Sequence, residues 1–175
     1  VPFFLVQPLL VWSESGLLTW KEKQWAASNK ELLRTAVPGV GDLIKARLDS
    51  FFDPGSDAER AAQQALACVA LYGGGLPLTT AISAMNAVGT TESASEHALE
   101  ALVEASILRT YGERQELRFG QAIVQQALLG ELRAKPWFRR VQRALLDTLA
   151  NAPDAENDAL FLAAGFESLG AFSEC

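Results

Sequence analysis

At 175 residues the chain suffices for one medium domain or two small ones. Its 49% hydrophobic and 21% charged side chains are the ordinary balance of a globular protein that buries a core. A net charge of −6 and an isoelectric point near 4.8 argue against broad affinity for nucleic acid or anionic membrane, a local basic patch aside.

The most apolar stretch, residues 1–12, falls short of the ~20 residues a membrane span needs and lacks the basic start of a signal peptide, so no membrane partner is expected. Cys68 and Cys175 lie far apart and in no CxxC pair. A disulfide scaffold and a zinc site are both disfavoured, and a reducing, cytoplasmic setting is expected. The chain opens in mid-pattern with "VPFFLVQPLL" and without Met, so it reads as a piece of a larger protein.

In chain order, residues 2–15 carry apolar side chains at helical spacing, with Pro2 in the tolerated first turn and Gly16 past the end. Pro8 would kink or divide that helix. "GLLTWKEKQWAAS" holds two short runs with Trp20 and Trp25 around a charged turn, and predicts a small hairpin. "VPGVGDLIKARLDSFF" predicts a helix from about Gly41, with Leu43, Ile44, Leu48, Phe51 and Phe52 on one side. "DPGS" stops it.

Ser56 and Glu59 form a capping box that opens a helix running to about Tyr72. Its inner face is small: Ala58, Ala62, Ala65, Leu66, Val69 and Ala70. "GGGLP" breaks it, and "LTTAISAMN" predicts a short helix. After the polar loop "AVGTTE", Ser93 and Glu96 make a second capping box for a helix with Ala98, Leu99, Leu102 and Val103 as its buried stripe. "SILRTYGERQELRFGQAIVQQALL" then gives a hairpin around a polar turn, and a helix over residues 121–134. Three helices followed by a two-stranded arm is the order of a winged helix, a variant of helix-turn-helix. Pro136 starts another helix, "PWFRRVQRALLDTLA", and "DALFLAAGFESLG" is the last. These two read as the start of a helical, repeat-like region.

Catalysis finds little support. No G-x-x-x-x-G-K-[ST] is present, so the chain cannot cradle a triphosphate alone. His97, the sole histidine, lacks Cys or acidic partners at ligand spacing and reads as a helix-surface residue. "DPGSD" and "DAEND" lack the spacing of a calcium loop. Direct DNA reading is disfavoured as well. The third helix of a winged helix lies in the major groove. Here residues 93–106 hold Glu96, Glu100 and Glu104 on one face and no Lys or Arg. They would repel the phosphates that usually supply the affinity. Arg109, Arg114 and Arg118 on the hairpin are offset by Glu113 and Glu116. The one basic cluster is Arg133, Lys135, Arg139, Arg140 and Arg143: a solvated face, or a dock for an acidic partner.

Four stretches carry a family resemblance. "VPFFLVQPLLVWSESGLL" resembles a G-x-P-F-F-L segment followed by a helix and G-x-L. "VPGVGDLIKARLDSF" resembles V-P-x-x-V-x-x-L-I-x-x-R-L-D. "ALEALVEASILR" resembles A-L-x-x-L-x-x-A-x-L-L, and "LRFGQAIVQQALL" resembles F-R-H-A-L-V-R-E-A-L-Y. In this order, over roughly residues 1–145, they are similar to the lid and winged-helix region of bacterial STAND ATPases (signal-transduction ATPases with numerous domains), such as those fused to LuxR-type regulators, kinases or cyclases.

The resemblance implies a mainly α fold: a helical lid with a small hairpin over residues 1–54, a winged-helix domain over 55–134, and a helical linker or start of a repeat-like sensor over 135–175. It implies ATP/ADP as cofactor, bound mainly by an upstream P-loop domain, with an ATPase activity that this segment itself lacks. Pro2 would pack on the adenine. Gln121 stands where the family has the His that contacts the ADP phosphates, and Gly120 where it has Arg. A helix N-terminus still favours an anion there, but glutamine brings no charge. The implied partners are the upstream domain, a downstream helical sensor and an effector protein, and the implied role is coupling nucleotide state to signal output. Two rivals are a winged-helix interaction or DNA-binding module without nucleotide control, and a helical-repeat adaptor.

Overall fold

The computed structural model describes residues 18–21, 24–27, 45, 48–49, 51–120 and 122–170. The chain divides into two compact units, Val1–Ala46 and Arg47–Cys175. In the first, β1 (Leu18–Lys21) and β2 (Gln24–Ala27) form the expected antiparallel hairpin, with Trp20 opposite Trp25. The helix expected over residues 2–15, and Pro2 with it, lies outside the described residues. Of the helix expected from Gly41, Lys45, Leu48 and Asp49 are described and are helical.

The second unit opens with Leu48 and Phe52 buried. Helix α1 (Asp57–Tyr72) follows, with the Ser56 hydroxyl accepting from the Glu59 N–H at 3.1 Å. This cap satisfies one of the free donors of the first turn. Gly73 ends the helix with φ +77°, a left-handed conformation that a side chain would strain, and its N–H donates to the Val69 carbonyl. Sequence periodicity assigns α1 a single inner face, and the structure corrects this. Ala58 is exposed, while Ala61, Ala67 and Cys68 join Ala62, Ala65, Leu66, Val69 and Ala70 in the interior. A helix apolar on every side is a central one. Its small side chains let several neighbours approach at once.

Those neighbours come in order: β3 (Leu76–Pro77), α2 (Leu78–Ala87), α3 (Glu92–Glu104), β4 (Leu108–Tyr111), β5 (Glu116–Phe119) and α4 (Ala122–Leu132). The hairpin β4–β5 is as expected, but it has a third member. β3 pairs antiparallel with β5, giving the strand order β3-β5-β4. α1 packs against α2, α3 and α4. Fully buried Leu66, Leu76, Met85, Leu102, Leu108 and Leu117 make the core between helices and sheet. The second capping box is displaced by two residues: Thr91, not Ser93, caps α3, its hydroxyl accepting from the Ala94 N–H at 3.3 Å.

α5 (Phe138–Ala150) packs on α2 and α1, burying Phe138, Val141, Leu145, Leu146 and Leu149. A 3-10 turn (Ala155–Asp158) leads to α6 (Ala159–Ser168), which lies on α5. Gly165 makes that crossing close, because a Cβ there would collide with the Leu146 side chain. The described residues are therefore mainly helical, with one two-stranded and one three-stranded antiparallel sheet. Among them, no helix is long and apolar enough to cross a membrane.

Candidate functional site

Three surfaces of the second unit bear on function. The first is the corner where β5 feeds α4. Gln121 stands at that corner and, like Pro2, lies outside the described residues. On the hairpin that leads to the corner, Arg109 on β4 is directly opposite Arg118 on β5, and both are exposed. Like charges placed so are unfavourable unless an anion is shared between them. Arg118 is held by Glu116 at 2.7 Å and lies over the Tyr111 ring at 5.6 Å. Arg109 makes no ion pair among the described residues. Its Nε sits 3.6 Å from where a Cβ of Gly120 would be, an ordinary van der Waals contact. One turn into α4, the Gln125 amide donates to the Ala70 carbonyl at 2.9 Å, tying the helix to the end of α1.

The second surface is a cleft of about 690 Å³ between α2, α3 and the hairpin. Leu99 and Leu117 form its buried floor, and Leu78, Ile82 and Val103 its half-buried walls. Val103, expected in the core, faces this cleft instead. Glu96, Glu100 and Glu104 line one rim, and Thr110, Gly112 and Gln115 the other. All three glutamates are exposed, and none is in an ion pair among the described residues. The sequence showed the acidic row; the apolar lining beside it joins Leu99 and Val103 of α3 to residues of α2 and β5, which no local pattern links to α3.

The third surface is the basic face of α5. Arg143 is engaged, its Nε 3.0 Å from both carboxylate oxygens of Asp147 and its guanidinium 5.3 Å from the Phe166 ring centre. Arg139 and Arg140 beside it are exposed and in no ion pair among the described residues. They overhang a shallow depression floored by Ala87, Val88 and Ala144.

Two long-range contacts hold the last helices and the hairpin tip in place. The Tyr72 hydroxyl donates to Asp158 at 2.8 Å, and its ring meets Phe161 edge-on at 5.4 Å. Burial, and then the Asp158 hydrogen bond, push the Tyr72 hydroxyl up from 10.0 to about 12. At the hairpin tip, Arg114 reaches Asp154 in the loop after α5 at 3.5 Å.

Cys68 is fully buried and free, and burial pushes its thiol up to about 12, so it is neither nucleophile nor ligand at neutral pH. His97 is exposed, and no group of Cys, His or carboxylates among the described residues could hold a metal ion. No family model matches the chain, and neither the curated proteins nor the solved structures include one with significant similarity to it.

Proposed function

We propose that the chain is the regulatory lid and winged-helix segment of a multidomain STAND-type ATPase, in which it couples ATP/ADP state to signal output. The observation that carries this reading is the order α1-β3-α2-α3-β4-β5 with strand order β3-β5-β4, followed directly by α4. We read this order as a winged helix; two of the stretches that carry the family resemblance precede it and two lie within it. Fold alone does not fix function, so the site must support it.

The corner before α4 does so. The family places Arg and His where this chain has Gly120 and Gln121. Arg109, on the neighbouring strand β4, lies within van der Waals reach of Gly120, its Nε 3.6 Å from where a Cβ would be. A helix N-terminus, an amide and a relocated cation suit a nucleotide phosphate presented by a P-loop domain. Pro2 would meet the adenine from the lid. Through α5, a shift of the hairpin and α1 would pass to α6 and a sensor or effector beyond it.

The rival reading, a DNA-binding winged helix, is opposed by the exposed row Glu96, Glu100 and Glu104 on α3, where a duplex would have to lie. The test uses the full-length parent protein, whose gene should encode a G-x-x-x-x-G-K-[ST] motif upstream. Arg109→Ala and Gln121→Ala should each speed release of fluorescently labelled ADP, Arg109→Ala by about tenfold, the scale of one charge-assisted hydrogen bond. Arg114→Ala at the hairpin tip should leave release unchanged. A parent without the motif, or release unaltered by both corner variants, defeats the proposal.

A further inference from the structure

We infer that the cleft between α2, α3 and the β4–β5 hairpin is a docking groove for a basic, amphipathic peptide segment of a protein partner. The inference does not rest on the nucleotide reading.

Shape and floor come first. Leu78 and Ile82 are four residues apart on α2, and Leu99 and Val103 four apart on α3. Each pair therefore makes a row along its helix, and Leu117 of β5 closes the space between the rows. Two apolar rows bounding a trough suit an inserted helix that carries anchors at helical spacing. Among the described residues the polar lining lies on the rims, in Glu96, Glu100, Glu104, Thr110 and Gln115, and the floor residues Leu99 and Leu117 are apolar.

Charge then selects the occupant. Glu96, Glu100 and Glu104 run along one rim for about 12 Å, eight residues at 1.5 Å each. Among the described residues no cation neutralises them. They stand close enough to repel one another, and the unbound groove carries that cost. Lysines or arginines flanking an apolar anchor would relieve it, whereas nucleic acid and anionic lipid would increase it. The opposite rim, Thr110 and Gln115, is neutral and offers hydrogen bonds.

The test is fluorescence anisotropy on the full chain. The probe is a labelled synthetic helix of roughly four turns, with Leu at positions i, i+3, i+4 and i+7 and Lys elsewhere. It should bind, more weakly as salt is raised. The triple variant Glu96→Gln, Glu100→Gln, Glu104→Gln should weaken it by about tenfold, as three partly screened ion pairs would. Val103→Ser should weaken it as well without altering any charge, and circular dichroism of each variant checks that the fold persists. Equal binding of a scrambled peptide of the same composition would reduce the effect to bulk charge and overturn the inference. So would tighter binding of a peptide with Glu in place of Lys. Self-association of the chain, lost in the triple variant and also in Arg139→Glu with Arg140→Glu, would assign the groove to a second copy and overturn it too.

Discussion

At the scale of single residues, charge rather than packing distinguishes this protein. The interior is conventional, but α3 carries three carboxylates in one row and the sheet sets Arg109 against Arg118. Both arrangements work against the free fold by small amounts. Glu104 adds to the cost, since it ends α3, where the helix dipole already disfavours negative charge. Glu100→Lys should therefore stabilise the chain. It removes two repulsive pairs and creates two attractive ones, for a gain on the order of 1 kcal/mol. Urea unfolding at low and high salt would read this, and the gain should shrink as salt rises. A variant that is more stable yet loses the probe helix would show that the glutamates serve binding at the expense of stability. No gain in stability would mean that the row is not repulsive.

At the scale of elements, the local patterns were informative wherever the physics is local. Both hairpins and the helices α1 to α6 stand close to where periodicity, turns and breakers put them. The misses have particular causes. Thr91 and Ser93 are both good capping residues, and the Glu96 that follows Ser93 made the wrong one look stronger. Thr91→Ala should thus cost about 1 kcal/mol in thermal or urea unfolding, while Ser93→Ala should change little. A reversed order would restore the box at Ser93. β3 was invisible because two residues ending in proline have no period; the pairing of Leu76 and Pro77 with Leu117 and Glu116 makes them a strand. Ala58 was misplaced because the first turn of α1 stands in solvent, with Asp57 and Arg60 exposed beside it, and burial begins only at Ala61.

At the scale of the whole second unit, the deciding contacts join distant parts of the chain. Tyr72 and Asp158 are 86 positions apart, and neither carries a local signature of the other. The same holds for the apolar lining of the cleft, whose residues come from α2, α3 and β5. The candidate site was therefore legible as charges but not as a cavity. The Tyr72 contact has a pH signature. Its hydroxyl is raised to about 12, so the fold favours the neutral phenol. That contribution is fully present below the ordinary value of 10.0 and is lost as pH climbs toward about 12. Stability should fall across this window more steeply in the native chain than in Tyr72→Phe, as urea unfolding at fixed pH would read. Identical slopes would mean that the hydroxyl is as free in the folded chain as in the unfolded one.

The seat of α6 has a mechanical consequence. It touches the rest through one close crossing at Gly165, the Phe161 ring against Tyr72, the Phe166 ring under Arg143 and the Ser168 hydroxyl, with no side chain of its own fully sunk into the core. α5, by contrast, is keyed into two helices by five large apolar side chains. A tug applied near Gly170 would peel α6 away turn by turn, like tape from a drum, before any strain reached α1, and slackening would let it lie down again without the core having opened.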